Sequence, residues 1–276
     1  MGCASSHRPV DIELGQTPGG AVNIFGQDFV VPQGPLTLRL RKKAWSIGCS
    51  KQEELAAQPN SEFDVLSCED GEPLFRILGR PLSVHPEVSA KDLCDVEGNP
   101  IFRMTLGPLT HPANMDTVFA PGAEGGELFA LASNFASRAP CKSAWTQDLK
   151  DSSGNALRLE AQLKITGVAP SGVVLIGEAS AGGTPVAKLC SERAYKGKVP
   201  RGQETVNASE HDVYILEIAP GMDAAAVLAM VMAFEQYEVL TSDLHYNLSM
   251  RAILDTNAIR GNKTIDVQHQ RKIVTC

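Results

Sequence analysis

The feature that most constrains the fold is the apolar run Ala224–Phe234, which contains no polar or charged side chain. Pro220-Gly221 is expected to break the preceding strand, Asp223 is a good N-cap, and Ala, Leu and Met favour a helix. A helix that is apolar on all sides lies inside either a protein or a bilayer. The run is far shorter than the roughly 20 residues that a membrane span needs. The sequence therefore predicts a helix buried within its own protein.

Short strands with turn signals dominate the rest of the chain. Residues 36–41 alternate, which places three leucines on one face of a strand and Thr37, Arg39 and Arg41 on the other. Asp70-Gly71 predicts a tight hairpin because both residues tolerate a positive φ. Roughly ten to twelve strands at this spacing indicate an all-β barrel or sandwich. The other predicted strand or hairpin segments are 93–102, 145–149, 156–165, 173–177, 185–189 and 213–218.

Composition fits one globular domain and narrows the function classes. The chain has 276 residues, of which 43% are apolar, and no composition shift divides it. A net charge of −7 argues against nucleic acid as the main partner. The seven cysteines are scattered without a CxxC pair and no secretory segment opens the chain, so we expect reduced thiols in a cytosolic protein.

We find no motif for catalysis, a metal or a cofactor. The six histidines lie far apart in the sequence, and no HExxH, G-x-S-x-G, P-loop or dinucleotide fingerprint occurs. The glycine-rich segments 121–126 and 181–185 are interpreted as loops. The expectation is therefore a non-enzymatic protein with no catalytic residues, metal site or cofactor.

The first six residues, Met1-Gly2-Cys3-Ala4-Ser5-Ser6, fit the pattern for N-myristoylation of Gly2. One myristoyl chain gives only marginal membrane binding, so S-palmitoylation of Cys3 is the expected second anchor. Residues 1–30 are predicted to form a flexible tether because the stretch after the motif is small, polar and interrupted by Gly and Pro.

A basic cluster is the most informative polar feature. Arg39 and Arg41 share the outward face of the predicted strand, and Lys42 and Lys43 follow directly. Such a cluster attracts anionic lipid headgroups, although Lys and Arg on an edge strand also discourage aggregation. Two further residues, Arg76 and Arg80, would join the cluster if their hairpin lies alongside.

Four features follow one another along the chain: a Leu-x-Leu strand, Phe63…Asp70-Gly71, Leu93-x-Asp95-x-x-Gly98 and the lead-in 220–223 to an apolar helix. Together they resemble the LURP-one-related family. That family shares its fold with tubby C-terminal domains and phospholipid scramblases. The resemblance implies a closed antiparallel β-barrel of about twelve strands around one central C-terminal helix at 223–237. The barrel would span 31–240, followed by an extension at 241–276.

By analogy with tubby domains, the basic cluster would hold a phosphoinositide headgroup. The sequence thus favours an acylated monomer on the cytoplasmic face of the plasma membrane, which binds phosphoinositides or a protein partner. One alternative is a scramblase-like phospholipid translocator, although no acidic calcium-binding loop of the scramblase kind is found. The other is an enzyme whose site is assembled from residues far apart in the sequence.

Overall fold

The computed structural model describes residues 12–42, 61–79, 90–105, 114–121, 125–134, 142–166, 169–195 and 213–234. The chain forms two compact units. The first is Met1–Ala44 with Pro59–Ala233, and the second is Trp45–Gln58 with Phe234–Cys276. The described residues fall in the first unit, apart from Phe234. The predicted extension 241–276 and the predicted helix end at residue 237 lie outside the described residues.

Twelve strands in the described part of the chain form a closed antiparallel barrel, which confirms the predicted fold class. Neighbours in the barrel are neighbours in the sequence, and β12 pairs with β1 to close it, from Leu36 opposite Ile218 to Arg41 opposite Val213. The strands are β1 (Leu36–Lys42), β2 (Ser61–Ser67), β3 (Pro73–Gly79), β4 (Ala90–Cys94), β5 (Pro100–Thr105), β6 (Asn114–Phe119), β7 (Glu127–Ser133), β8 (Lys142–Gln147), β9 (Leu159–Thr166), β10 (Ala169–Ile176), β11 (Thr184–Ser191) and β12 (Val213–Ile218).

Local patterns explain the first strands. Leu38 and Leu40 are buried inside the barrel, so the predicted alternation of β1 is confirmed. The predicted hairpin between β2 and β3 is also present, and Gly71 takes a φ of 80° at its turn. Glycine occupies this left-handed conformation without the steric cost that a Cβ would bring.

Two strands, β6 and β7, were not predicted from the sequence. In β7 the four residues from Phe129 to Ala132 are all buried, so this strand shows no apolar–polar alternation. In β6 the polar residues Asn114, Asp116 and Thr117 interrupt the apolar pattern. Both strands therefore lack the period-two signal that identified the others.

The apolar run forms helix α1, of which 224–234 are described, and all of these residues are buried. The helix is buried on every side, and the inward side chains of the barrel are buried as well, so the helix occupies the barrel interior. The predicted central helix is confirmed. Asp223 acts as its N-cap, because its Oδ1 accepts the Ala226 N–H at 3.1 Å. The described residues include no helix with the length and hydropathy that a membrane span requires.

Residues 12–31, which we call the N-terminal strap, differ from the predicted flexible tether. The strap lies across the end of the barrel at which α1 begins. The Ile24 and Phe25 N–H groups donate to Asp223 Oδ2 at 2.9 and 2.8 Å, and the Val31 N–H donates to Met222 O at 2.9 Å. Phe25 stacks on the buried Phe102, with ring centroids 4.9 Å apart. These partners are distant in sequence, so local composition gave no sign of them.

Candidate functional site

The structure places the described members of the predicted basic cluster on β1 and β3, which are separated by β2. Arg39 and Arg41 lie on the outward face of β1, and Lys42 is the last residue of that strand. Arg76 is exposed on β3, and Asp64 of β2 is the register partner of both Arg41 and Arg76. The other predicted site residues, Gly2, Cys3, Lys43 and Arg80, lie outside the described residues.

Both arginines of β1 have a carboxylate counter-ion. Arg41 Nη2 donates to Asp64 Oδ2 at 2.9 Å, and Arg39 Nη2 lies 3.1 Å from Glu192 Oε1. The two arginine side chains are only 15% (Arg39) and 21% (Arg41) exposed, so these pairs are better shielded from water than ordinary surface ion pairs. An anion that binds here must compete with carboxylates of the protein itself.

Sequence reasoning missed both counter-ions. Asp64 was detectable in principle, because pairing the two predicted strands brings it opposite Arg41. Glu192 follows β11 and is 153 residues from Arg39. Only closure of the barrel between β1 and β12, with β11 next to β12, brings the two side chains together.

A small apolar cluster lies beside Arg39 on the outside of the barrel. It consists of the buried Cys68, Cys190 and Ile215, with Tyr195 packed against them. Burial raises the pKa of each thiol to about 11, and the Arg39 charge opposes the effect at Cys68. These cysteines are therefore neutral thiols at physiological pH, not activated nucleophiles.

We expect Cys68 and Cys190 to resist alkylation by iodoacetamide at pH 8 in the native protein and to react fully after denaturation. A thiol with a pKa of about 11 carries only about one thousandth of its population as thiolate at that pH. Per-residue mass spectrometry of timed reactions measures this. Native labelling of either cysteine at the denatured rate would contradict it.

The start of the strap is fixed to the outer wall of the barrel near this cluster. Lys188 Nζ donates to Ile12 O at 3.3 Å and forms an ion pair with Glu217 at 3.2 Å. The Gly15 N–H donates to Pro185 O at 2.9 Å. The first described residues of the strap therefore lie against the wall formed by β11 and β12.

A surface pocket of about 510 Å³ lies along this attachment. It is open and of mixed polarity. Strap residues 12–16 line it together with Pro35, Lys188, Glu217 and Pro220. In the described part of the chain, no group of three or more His, Cys, Asp or Glu side chains is arranged to hold a metal ion.

Comparison with curated proteins and with solved structures found no match for the chain. The family model described as LURP-one-related matches residues 36–235, from the first residue of β1 to one position beyond the described part of α1. This match covers well over half of the chain and includes all twelve strands. The chain therefore belongs to the LURP-one-related family.

Proposed function

We propose that this protein is a non-enzymatic, acylated peripheral membrane protein whose barrel binds anionic phosphoinositide headgroups. The acyl groups would be carried by Gly2 and Cys3, and the headgroup by the outward face of β1 to β3 around Arg39, Arg41 and Arg76. The protein would act as a monomer at the cytoplasmic face of the plasma membrane.

The observation that carries this proposal is the position of the strap. Lys188, which holds Ile12, is the register partner of Glu217, and Glu217 is the register partner of Thr37 on β1. Arg39 lies two residues beyond Thr37 on the same outward face. With strands about 4.8 Å apart and a rise of about 3.4 Å per residue, the backbones of Lys188 and Arg39 are about 12 Å apart.

This separation is within reach of the anchor. Ile12 is ten positions along the chain from Gly2, and a fully extended chain of this length spans at most about 35 Å. An acyl chain on Gly2 and a headgroup at Arg39 can therefore lie in one membrane surface. The strap supports the proposal because it holds Ile12, the first described residue after the acylation motif, on the wall next to the basic strand.

The filled interior also favours a ligand on the outer surface. Residues 224–230 of α1 are at most 2% exposed, and inward side chains such as Leu38, Phe102 and Leu216 are completely buried. The described part of the interior is thus occupied by the protein's own side chains, and the outward faces of the strands are where a ligand has access.

The acyl anchor and the basic face would each bind a membrane weakly, so stable attachment would need both. One myristoyl chain gives an association constant of only about 10⁴ M⁻¹, and each basic residue near an anionic leaflet adds about 1 kcal/mol. Arg39, Arg41 and Arg76 carry three positive charges against the two negative charges of Asp64 and Glu192, a net of about +1. The barrel alone would bind weakly and acylation would make attachment stable.

The proposal is tested in two arms. In cells, a myristate analogue should label the wild type but not Gly2→Ala, and membrane fractionation should show loss of Gly2→Ala and partial loss of Cys3→Ser from the membrane. In vitro, the unacylated chain should bind phosphatidylcholine vesicles that contain a phosphoinositide and not vesicles without it.

A matched pair of variants distinguishes binding at the basic face from an effect of the protein's net charge. Arg41→Gln should weaken vesicle binding about fivefold, as expected for one charge near an anionic surface. Arg103→Gln also removes an arginine that is paired with a carboxylate, since Arg103 lies 2.7 Å from Asp92. Arg103 is on β5, four strands from β1, so this variant should leave binding unchanged. Equal effects of the two variants, or a wild type that is neither labelled nor bound, would overturn the proposal.

A further inference from the structure

Arg39 is only partly satisfied by its counter-ion. Its Nη2 donates to both oxygens of Glu192, at 3.1 and 3.3 Å, whereas its Nε is buried and has no hydrogen-bond partner among the described residues. A buried donor without a partner costs free energy, since it has given up its bond to water. The pair with Glu192 is therefore not the most favourable arrangement that this guanidinium can reach.

A phosphate monoester would satisfy the missing bond. The Nε and Nη2 hydrogens of an arginine point the same way and form a fork that matches two oxygens of a phosphate or carboxylate. In the present geometry Glu192 approaches Nη2 alone. A phosphate group that takes the place of Glu192 can accept from both nitrogens, and its greater charge strengthens each bond.

Glu192 lies where an incoming phosphate group can displace its carboxylate from Arg39. The Glu192 side chain is 31% exposed, about twice the exposed fraction of Arg39, so its carboxylate can turn into water while the arginine stays in position. Glu192 begins the short 3₁₀ turn Glu192–Ala194 directly after β11, and Tyr195 anchors the other end of this turn against the cluster of Cys68, Cys190 and Ile215. Displacement thus needs a side-chain rotation and no change in the barrel.

Arg158 provides an internal comparison. Its Nε is also buried without a partner, but two carboxylates hold its guanidinium, Glu178 at 2.6 Å and Glu160 at 3.5 Å. Removal of one of these leaves the other in place. Arg39, by contrast, is held by one carboxylate of the described part of the chain, and the next outward residue on its strand is another arginine, Arg41.

We infer that Glu192 is an autoinhibitory counter-ion, which occupies Arg39 until a phosphate monoester group displaces it. The inference rests on the proposed function, because it assigns regulation to the same basic face. The ligand chemistry is that of a phosphate monoester, supplied either by a lipid headgroup or by a soluble inositol phosphate.

The test compares three variants of the full chain with the wild type on phosphatidylcholine vesicles that contain a phosphoinositide. Glu192→Gln keeps a hydrogen-bond acceptor for Arg39 but removes the charge, and should bind about fivefold more tightly than the wild type. The double variant Arg39→Gln/Glu192→Gln should lose this gain. Glu178→Gln, which makes the same charge change beside Arg158, should bind within about twofold of the wild type.

Two further measurements complete the test. Glu192→Asp shortens the side chain but keeps its charge and should show a smaller gain, which provides a second variant if Glu192→Gln does not fold. Calorimetry with soluble inositol hexakisphosphate distinguishes the sources. The same gain in this arm assigns the site to the phosphate group itself, and a gain on vesicles alone assigns it to the lipid-embedded headgroup.

The outcomes separate this inference from the proposed function. Wild-type binding to phosphoinositide vesicles without a gain in Glu192→Gln or Glu192→Asp would overturn the autoinhibitory role and leave the proposed function standing. An equal gain in Glu178→Gln would also overturn it, since net charge would then explain the result. Absence of binding by the wild type and every variant would overturn both.

Discussion

Replacement of Asp223 by Ala is expected to lower the free energy of unfolding by about 3–5 kcal/mol. The Asp223 carboxylate is completely buried and accepts three backbone N–H groups, from Ile24, Phe25 and Ala226. Alanine would leave these donors without partners at the point where strap, helix and barrel meet. Urea unfolding followed by circular dichroism measures the loss.

Asp95→Ala is the matched control for this change. Asp95 also accepts a backbone N–H, from Asn99 at 2.8 Å, but it lies in an exposed turn between β4 and β5 where water can replace it. Its loss should cost no more than about 1 kcal/mol. Similar losses for the two variants would show that burial at Asp223 has little influence on stability.

The pH dependence of the free energy of unfolding provides a second test of Asp223. Burial raises the pKa of Asp223 above the ordinary value of 3.8, against the lowering effect of its backbone N–H donors. A carboxyl that binds its proton more readily when folded contributes stability that is complete below 3.8 and is lost as the pH rises through the raised pKa. The wild type should therefore gain stability relative to Asp223→Asn as the pH falls through this window. A difference that shrinks instead would contradict the assignment.

Phe102→Ala is expected to cost about 3–5 kcal/mol, the range for loss of a buried aromatic ring. Phe102 is completely buried and its ring stacks on Phe25 of the strap, so truncation would leave a cavity and remove one of the strap's aromatic contacts. Leu128→Ala on β7 is the control, because Leu128 is 39% exposed and should lose less than about 1 kcal/mol. Thermal unfolding of the two variants side by side gives the comparison, and equal losses would contradict the assignment of Phe102 to the core.

Local signals in the sequence predicted the helix and ten of the twelve strands, whereas the closed barrel was implied by the family resemblance. Alternation in β1, the Asp70-Gly71 turn and the unbroken apolar run at 224–234 each follow from the chemistry of neighbouring residues. The strands β6 and β7 were missed because one contains polar residues and the other is buried on both faces.

The site was much less predictable than the fold. Asp223 was predicted as an N-cap, but its second role as acceptor for the strap joins residues 199 positions apart. The counter-ion of Arg39 likewise comes from a turn that is remote in sequence. Such contacts depend on tertiary closure, and a single sequence contains no periodic signal for them.

The pairing of β1 with β12, which closes the barrel, also determines when the barrel can form during synthesis. β1 pairs with β12, so residues separated by about 180 positions must meet before the sheet has no free edge. The helix that fills the interior is made after the last strand, and its N-cap holds the strap that precedes the first. During synthesis the sheet therefore cannot close until residues 213–218 have left the ribosome. Contacts of this sequence separation make folding slow, and the unfinished barrel is the stage most exposed to aggregation.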